Sequence, residues 1–160
     1  MYNCSDLISS ARKAEPSSKA FFAKNRKKLE KADNLVHGLH EEVFSEIDCL
    51  ECAACCRTLG PGIYDKDIER MAKALQIKPS DVVTNYLRTD EDGDYVFRSM
   101  PCPFLMADNY CSIYEHRPKA CREYPHTDRR KFYQIVNLTI KNSYTCPIAY
   151  EVLERLKKIF

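Results

Sequence analysis

Residues 49–56 decide the fold of this chain, and they read Cys49-Leu50-Glu51-Cys52-Ala53-Ala54-Cys55-Cys56. Four of the nine cysteines in the chain therefore lie within eight residues. A spacing of two residues between cysteines lets a tight turn direct two sulfurs at one metal ion. Three cysteines at this spacing are also the ligand pattern of bacterial ferredoxins, which bind iron–sulfur clusters. The segment therefore predicts a metal centre with cysteine ligands.

Single cysteines further along the chain complete a set of eight candidate ligands. They are Cys102, Cys111, Cys121 and Cys146. Cys102 and Cys146 each precede a proline, as the distant fourth ligand of a ferredoxin cluster does. Because four ligands saturate one centre, eight cysteines suffice for two centres.

The ligands divide between two centres in more than one way. Side chains of adjacent residues point in different directions, so Cys55 and Cys56 are expected to bind to different centres. Alternatively, one of them lies beside a centre without binding its metal. One division is Cys49, Cys52, Cys55 and Cys146 against Cys56, Cys102, Cys111 and Cys121. Buried thiols or disulfides are the alternative reading of the same residues. Cys4 stands apart near the N-terminus, where chains fray, and is predicted not to bind metal.

The composition indicates a soluble protein of one domain. The chain has 160 residues, of which 44% are hydrophobic and 30% are charged, and its net charge is +2. We see no apolar run long enough to span a bilayer and no secretory signal, and many cysteines without a disulfide pattern are typical of a reducing compartment. We therefore expect a cytoplasmic protein that does not bind a membrane. A net charge this small does not favour nucleic acid either, and an unknown protein partner stays open.

The N-terminal third predicts helices. Residues 3–14 predict a short helix, Glu15-Pro16-Ser17-Ser18 a break, and residues 17–47 one long helix. Apolar residues recur along the long helix at helical spacing: Leu29, Ala32, Val36, Leu39, Val43 and Ile47. Its first half is basic and is interpreted as a solvated face. Residues 1–44 are thus predicted to form an N-terminal helical segment, packed as one unit with a cysteine-cluster domain at 45–160.

The rest of the chain predicts mainly helices with little β-structure. Helices are expected at 65–76, from Pro79, after Arg117-Pro118, within 129–142 and from Pro147. Asp92-Gly93 predicts a turn, residues 95–99 a short strand, and residues 103–114 a small hairpin. The predicted fold class is mainly α with a small β-hairpin, in one compact domain that metal stabilises. Arginines beside the cysteines are expected to offset the thiolate charge: Arg57, Arg98, Arg117 and Arg122.

The cysteine pattern resembles a known family of zinc- or iron-chelating domain proteins, which carry the signature CxxCxxCC. Cys49–Cys56 matches the signature, and Cys102-Pro-Phe-Leu, Cys111-Ser-Ile-Tyr-Glu-His-Arg-Pro118 and Cys121-Arg-Glu-Tyr-Pro125 resemble a second block of that family. Cys146-Pro147 resembles its last cysteine, and the resemblance spans roughly residues 45–155. It implies that the eight cysteines bind zinc or iron. Flagellin lysine methylases carry a similar cysteine cluster.

Three functions are consistent with this pattern. The first is a metal-binding protein that holds one or two cysteine-ligated centres and has a redox or metal-handling role, in which the ferredoxin-like spacing favours an iron–sulfur cluster over zinc. The second is a methylase-like enzyme in which a cluster assists group transfer, although no glycine-rich site for a methyl donor stands out. The third is an interaction domain that structural zinc stabilises. The sequence assigns no catalytic residue and leaves open whether the protein is an enzyme.

Overall fold

The regular structure is almost entirely helical. A computed structural model describes residues 3–160, apart from the side chain of Cys4, so the prediction for that thiol lies outside the described residues. The described residues form ten α-helices and one two-stranded antiparallel sheet, which confirms the predicted fold class. The chain contacts group into a first unit, Met1–Cys52 with Pro125–Phe160, and a second unit, Ala53–Tyr124. The predicted boundary after residue 44 stays a prediction.

The first unit is a bundle of helices. Its helices are α1 (Cys4–Lys24), α2 (Arg26–Leu29), α3 (Asp33–Glu46), α4 (Cys49–Cys52), α9 (Val136–Asn142) and α10 (Pro147–Ile159), and a short 3₁₀ turn covers Phe132–Gln134. Helix α10 packs against α1, α3 and α9. Its apolar stripe is buried at Ile148, Val152, Leu153 and Leu156, as the helical spacing predicts. None of the helices in the described residues is long and apolar enough to cross a membrane.

The predicted break at Glu15–Ser18 is wrong, because α1 continues through Pro16. The buried side chains of this helix keep their spacing across the proline, at Leu7, Ala11, Ser18 and Phe22. Packing of this stripe favours one continuous helix over the break that proline favours locally. The Ser17 hydroxyl, one residue after the proline, also donates to the Ala14 carbonyl at 2.9 Å.

The predicted long helix over residues 17–47 is also wrong, because the chain breaks twice in that range. Asn25 ends α1, since its backbone N–H (3.0 Å) and its side-chain amide (2.9 Å) both donate to the Phe21 carbonyl. A second break precedes α3, whose Asp33 carboxylate accepts the backbone N–H groups of Lys131 and Phe132. The six apolar residues predicted to face inward are nevertheless all buried.

Helix α3 carries acidic residues at its C-terminal end, where the helix dipole opposes them. Arg155 of α10 pairs with two of these carboxylates, those of Glu42 and Glu46. It also lies 3.7 Å from Glu151 on its own helix. These ion pairs with α10 offset the unfavourable position of the acidic residues at this helix end.

His40 of α3 lies half-buried between α3 and the segment that precedes α9. Its Nδ1 lies 2.7 Å from the Thr127 hydroxyl oxygen, and its ring packs on Phe44 with the centroids 4.4 Å apart. Burial lowers the pKa of His40 from its ordinary value of 6.5, and the charge of His37 acts in the same direction, whereas Asp128 and Glu41 oppose the shift. The folded chain thus favours the neutral imidazole.

A pH titration of stability should detect this effect. Because the unfolded chain protonates His40 at a higher pH than the folded chain, the free energy of unfolding should fall as the pH drops through about 6.5. The His40→Gln variant should lose part of this dependence between pH 7.5 and 5.5. Urea unfolding of both proteins across that range measures the difference, and identical pH profiles would contradict the assignment.

The second unit combines short helices with the sheet. Its elements are α5 (Ala54–Thr58), α6 (Asp65–Leu75), α7 (Pro79–Tyr86), β1 (Leu87–Thr89), β2 (Tyr95–Phe97) and α8 (Lys119–Glu123), with a 3₁₀ turn at Tyr114–His116. The strands pair with Leu87 opposite Phe97 and Thr89 opposite Tyr95. The buried core is formed by Ile63, Ile68, Met71, Ala72, Val82, Leu87, Phe97, Phe104 and Ile113.

The hairpin lies elsewhere than at residues 103–114. Within residues 103–114, the antiparallel pairing consists of a single β-bridge between Leu105 and Cys111. Beside it, the Met106 N–H donates a hydrogen bond of 2.8 Å to the Tyr110 carbonyl. The two strands flank the predicted Asp92-Gly93 turn instead, where Gly93 has a φ of 84°. The bridge nevertheless brings the loop that follows Cys102 beside Cys111.

Candidate metal centre

The cysteine run folds into two very short helices. The Asp48 carboxylate accepts the Leu50 N–H at 2.8 Å and so starts α4, which carries Cys49 and Cys52. Ala53 follows with a φ of 49°, a left-handed conformation that ends the first turn. Helix α5 then begins at Ala54 and carries Cys55 and Cys56. The eight candidate ligands all carry thiols rather than disulfides.

Three sulfurs of the first unit are near enough for their charges to interact. Cys146 is 8% exposed and precedes α10, with Pro147 as the first residue of that helix. Burial raises the pKa of the Cys146 thiol to about 12, and the charges of Cys49 and Cys52 raise it further. The backbone N–H groups of Ile148 and Ala149 oppose this by donating to the sulfur. The N-terminus of α10 thus lies at the Cys146 sulfur, whose charge interacts with those of the Cys49 and Cys52 sulfurs.

Backbone hydrogen bonds place the sulfurs of the second unit. The Cys102 N–H donates to the Cys56 carbonyl at 2.8 Å, which joins two residues 46 positions apart. The Cys102 sulfur accepts from the Phe104 and Leu105 N–H groups. The Cys111 sulfur likewise accepts from the Ile113 N–H. Such N–H donors stabilise a thiolate and orient it.

The electrostatics of the second unit link four sulfurs into one group, which we call the second sulfur group: Cys56, Cys102, Cys111 and Cys121. Burial raises the pKa of Cys121 to about 12 and that of Cys102 to about 11, and mutual repulsion adds to both shifts. Cys56 differs, because a hydrogen bond with Cys55 lowers its pKa to about 7. Several thiolates at these positions therefore require a compensating positive charge, such as a metal ion.

Two of the four predicted arginines act on this group. The charges of Arg117 and Arg57 lower the pKa of the Cys56 thiol, after the larger effect of Cys55. The guanidinium of Arg117 lies 3.6 Å from the Tyr114 ring centroid, and its Nε donates to the Tyr114 carbonyl at 2.8 Å. Arg98 instead donates to the carbonyls of Thr84 and Leu87, so its contacts are structural.

A buried carboxylate that the sequence did not single out holds the segment before Cys121. Asp67 of α6 is 2% exposed and accepts the N–H of Lys119 at 2.9 Å, the N–H of Tyr64 at 3.0 Å and the Arg70 guanidinium at 2.6 Å. Arg70 also donates to the Arg117 carbonyl at 3.0 Å. This Asp67 clamp therefore fixes residues 117–119, which lead into α8 and Cys121. An acidic residue in the first turn of a helix is common, and nothing in the sequence indicates that this one is buried.

The chemistry of these residues fits a thiophilic metal. Both groups offer thiol sulfurs, backbone N–H donors to sulfur and, in the second unit, arginine. Among the described residues, however, no three His, Cys, Asp or Glu side chains are arranged as ligands of one metal ion. The sulfurs are thus close enough for their charges to interact without having the geometry of a closed site. The exact ligand set, including the place of Cys55, stays a prediction.

Comparison with known proteins agrees with this chemistry. A search of curated proteins and a search of solved structures each returned no match. A family model does match, over residues 48–147, which include all eight candidate cysteines. The match covers more than half of the chain and confirms the resemblance seen in the sequence. The chain therefore belongs to the CxxCxxCC family, whose description is "Putative zinc- or iron-chelating domain".

Proposed function

We propose that this protein is a cytoplasmic metal-binding protein with two cysteine-ligated centres, which serve a redox or metal-handling role. The observation that carries the proposal is that sulfur charges interact within each unit, among Cys49, Cys52 and Cys146 in the first unit and within the second sulfur group in the other. Cys55 is the remaining candidate, and only the spacing of the sequence groups it with Cys49, Cys52 and Cys146. The zinc- or iron-chelating description of the family supports metal as the bound group.

The ligand spacing favours iron–sulfur clusters over zinc. Cys49, Cys52 and Cys55 follow the spacing of a ferredoxin run, and Cys146-Pro147 supplies the distant cysteine before a proline. The N–H donors to Cys102, Cys111 and Cys146 support this choice, because hydrogen bonds to sulfur tune the reduction potential of a cluster. A bound cluster would supply one-electron chemistry, while the chain's own residues supply the ligands, the N–H donors and the burial.

Metal analysis of protein purified without oxygen tests the proposal. We expect brown protein with iron and acid-labile sulfide, and an absorption band near 400 nm that dithionite bleaches. Removing the metal with a chelator should lower the thermal midpoint, because ligands far apart in the chain are then no longer joined through metal. Colourless protein with stoichiometric zinc would instead support the interaction-domain hypothesis. Protein that binds neither metal, with an unchanged midpoint after chelation, would refute the proposal.

A further inference from the structure

Two basic runs that are far apart in the sequence meet on one surface of the first unit. The Arg26 guanidinium lies 5.9 Å from the Tyr133 ring centroid, and α2 packs on the 3₁₀ turn Phe132–Gln134. The Asp33 carboxylate binds the Lys131 N–H and so fixes the second run beside the start of α3. The exposed cations of this basic surface are Lys24, Arg26, Lys27, Lys28, Lys31, Arg129, Arg130 and Lys131.

The second run, residues 129–131, is held by its backbone while its side chains remain exposed. Thr127, which is fully buried, contacts His40 at 2.7 Å, and His37 Nε2 lies 3.3 Å from the Arg129 carbonyl. Lys131 has a φ of 58°, a left-handed conformation that residues with side chains rarely adopt. The contacts from α3 hold this loop in one conformation, so the backbone that carries its three cations is positioned before any partner binds.

The charge of the chain is concentrated at this surface. Residues 24–33 and 128–131 carry eight Lys and Arg against three Asp and Glu, whereas the other residues carry 17 against 20. Glu30 lies 3.4 Å from Arg26, and the net charge of the two segments is +5 (8 − 3) with all three acids counted. The low net charge of the whole chain therefore conceals a strongly cationic face.

We propose that the basic surface of the first unit binds the phosphate backbone of nucleic acid. The proposal departs from the sequence-based expectation, which rested on the small net charge and interpreted the basic part of residues 17–47 as a solvated face. Cations spread over two rigid segments match a partner with regularly repeated negative charge. An acidic membrane is the alternative partner, because the exposed Ile159 lies next to Phe160, whose carbonyl Lys28 Nζ contacts at 3.3 Å, and the test below distinguishes the two.

Binding of labelled RNA to the metal-loaded full chain tests the proposal. The probe is a fluorescent single-stranded 20-mer RNA, with a duplex DNA of the same length as a second probe, and anisotropy is measured at several salt concentrations. We expect the affinity for at least one probe to fall steeply with salt. In the Lys27→Glu/Arg130→Glu variant, which changes one cation in each run, the Kd should rise at least tenfold. The salt slope should become shallower by about 1 to 2, because about 0.7 to 0.9 is lost for each phosphate contact.

The matched control changes the same charge elsewhere. Lys66→Glu/Lys73→Glu alters two exposed lysines of α6 in the second unit and lowers the net charge equally. Retained affinity in this control supports the proposal, and equal loss in both variants would overturn it. No binding by the wild type at 100 mM salt, or tighter binding to phosphatidylserine vesicles than to both nucleic acids, would overturn it too. The metal content of each sample is measured as well, so that a failure of nucleic-acid binding is distinguished from a failure of metal binding.

Discussion

Cys121→Ser is expected to remove the metal of the second sulfur group and to leave that of the first unit in place. Cys121 lies near three other sulfurs of the group, because the charges of Cys102, Cys56 and Cys111 all raise its pKa. Bound metal should fall by about half, since one of two four-ligand centres loses a ligand. The thermal midpoint should fall with it, because metal binding contributes to folding. Metal and sulfide analysis together with differential scanning calorimetry measure both effects.

The matched control for this variant is Cys4→Ser. It also removes one thiol, but the sequence predicts that Cys4 is not a ligand. We expect full metal content and an unchanged midpoint in the control. Full metal content in Cys121→Ser as well would refute a ligand role for Cys121, and a serine oxygen acting as a substitute ligand is excluded by repeating the measurement with Cys121→Ala.

Asp67→Asn should weaken metal binding at the second unit without touching a sulfur. The change removes the charge that pairs with Arg70 and weakens the hold on Lys119, so residues 117–119 are no longer fixed. Loss of a buried, charge-assisted hydrogen bond costs about 2–4 kcal/mol in the free energy of unfolding. Mutation of a residue that orients a metal ligand typically lowers the metal affinity by about 10- to 100-fold. Competition with a chromophoric chelator measures the affinity, and the visible spectrum of the loaded protein reports the geometry of the centre.

Asp33→Asn provides the comparison within the same chain. Asp33 also accepts two backbone N–H groups, those of Lys131 and Phe132, but it belongs to the first unit and its contacts do not include a cysteine. This variant should lose stability and keep its metal affinity and spectrum. If both variants weakened metal binding equally, the effect of Asp67 would be one of general stability and not of ligand placement.

Helical periodicity predicted what is buried better than where helices end. The apolar stripe from Leu29 to Ile47 was located correctly, because burial depends on the side chains themselves. The ends depend on particular contacts made with other parts of the chain. Asn25 ends α1 through its amide, and the buried stripe of α1 extends the helix past Pro16. The local sequence does not show which of these contacts will determine where a helix ends.

The sulfur groups were predictable in part. Spacing and the Cys-Pro pairs indicated the eight cysteines, and their division between two centres stays a prediction. The helper residues were less predictable. Closeness in sequence suggested four arginines, yet Arg98 faces backbone carbonyls. Asp67 is 52 positions from Lys119, and only the fold brings them together.

The order of the two units along the chain has a consequence during synthesis. The second unit is one continuous stretch, Ala53–Tyr124, inserted between the two halves of the first. All of its cysteines are synthesised before Cys146 is added. Because domains generally fold as units while translation proceeds, the inserted stretch is able to mature first. The first unit, although its N-terminal half is synthesised earlier, is then the last to be completed.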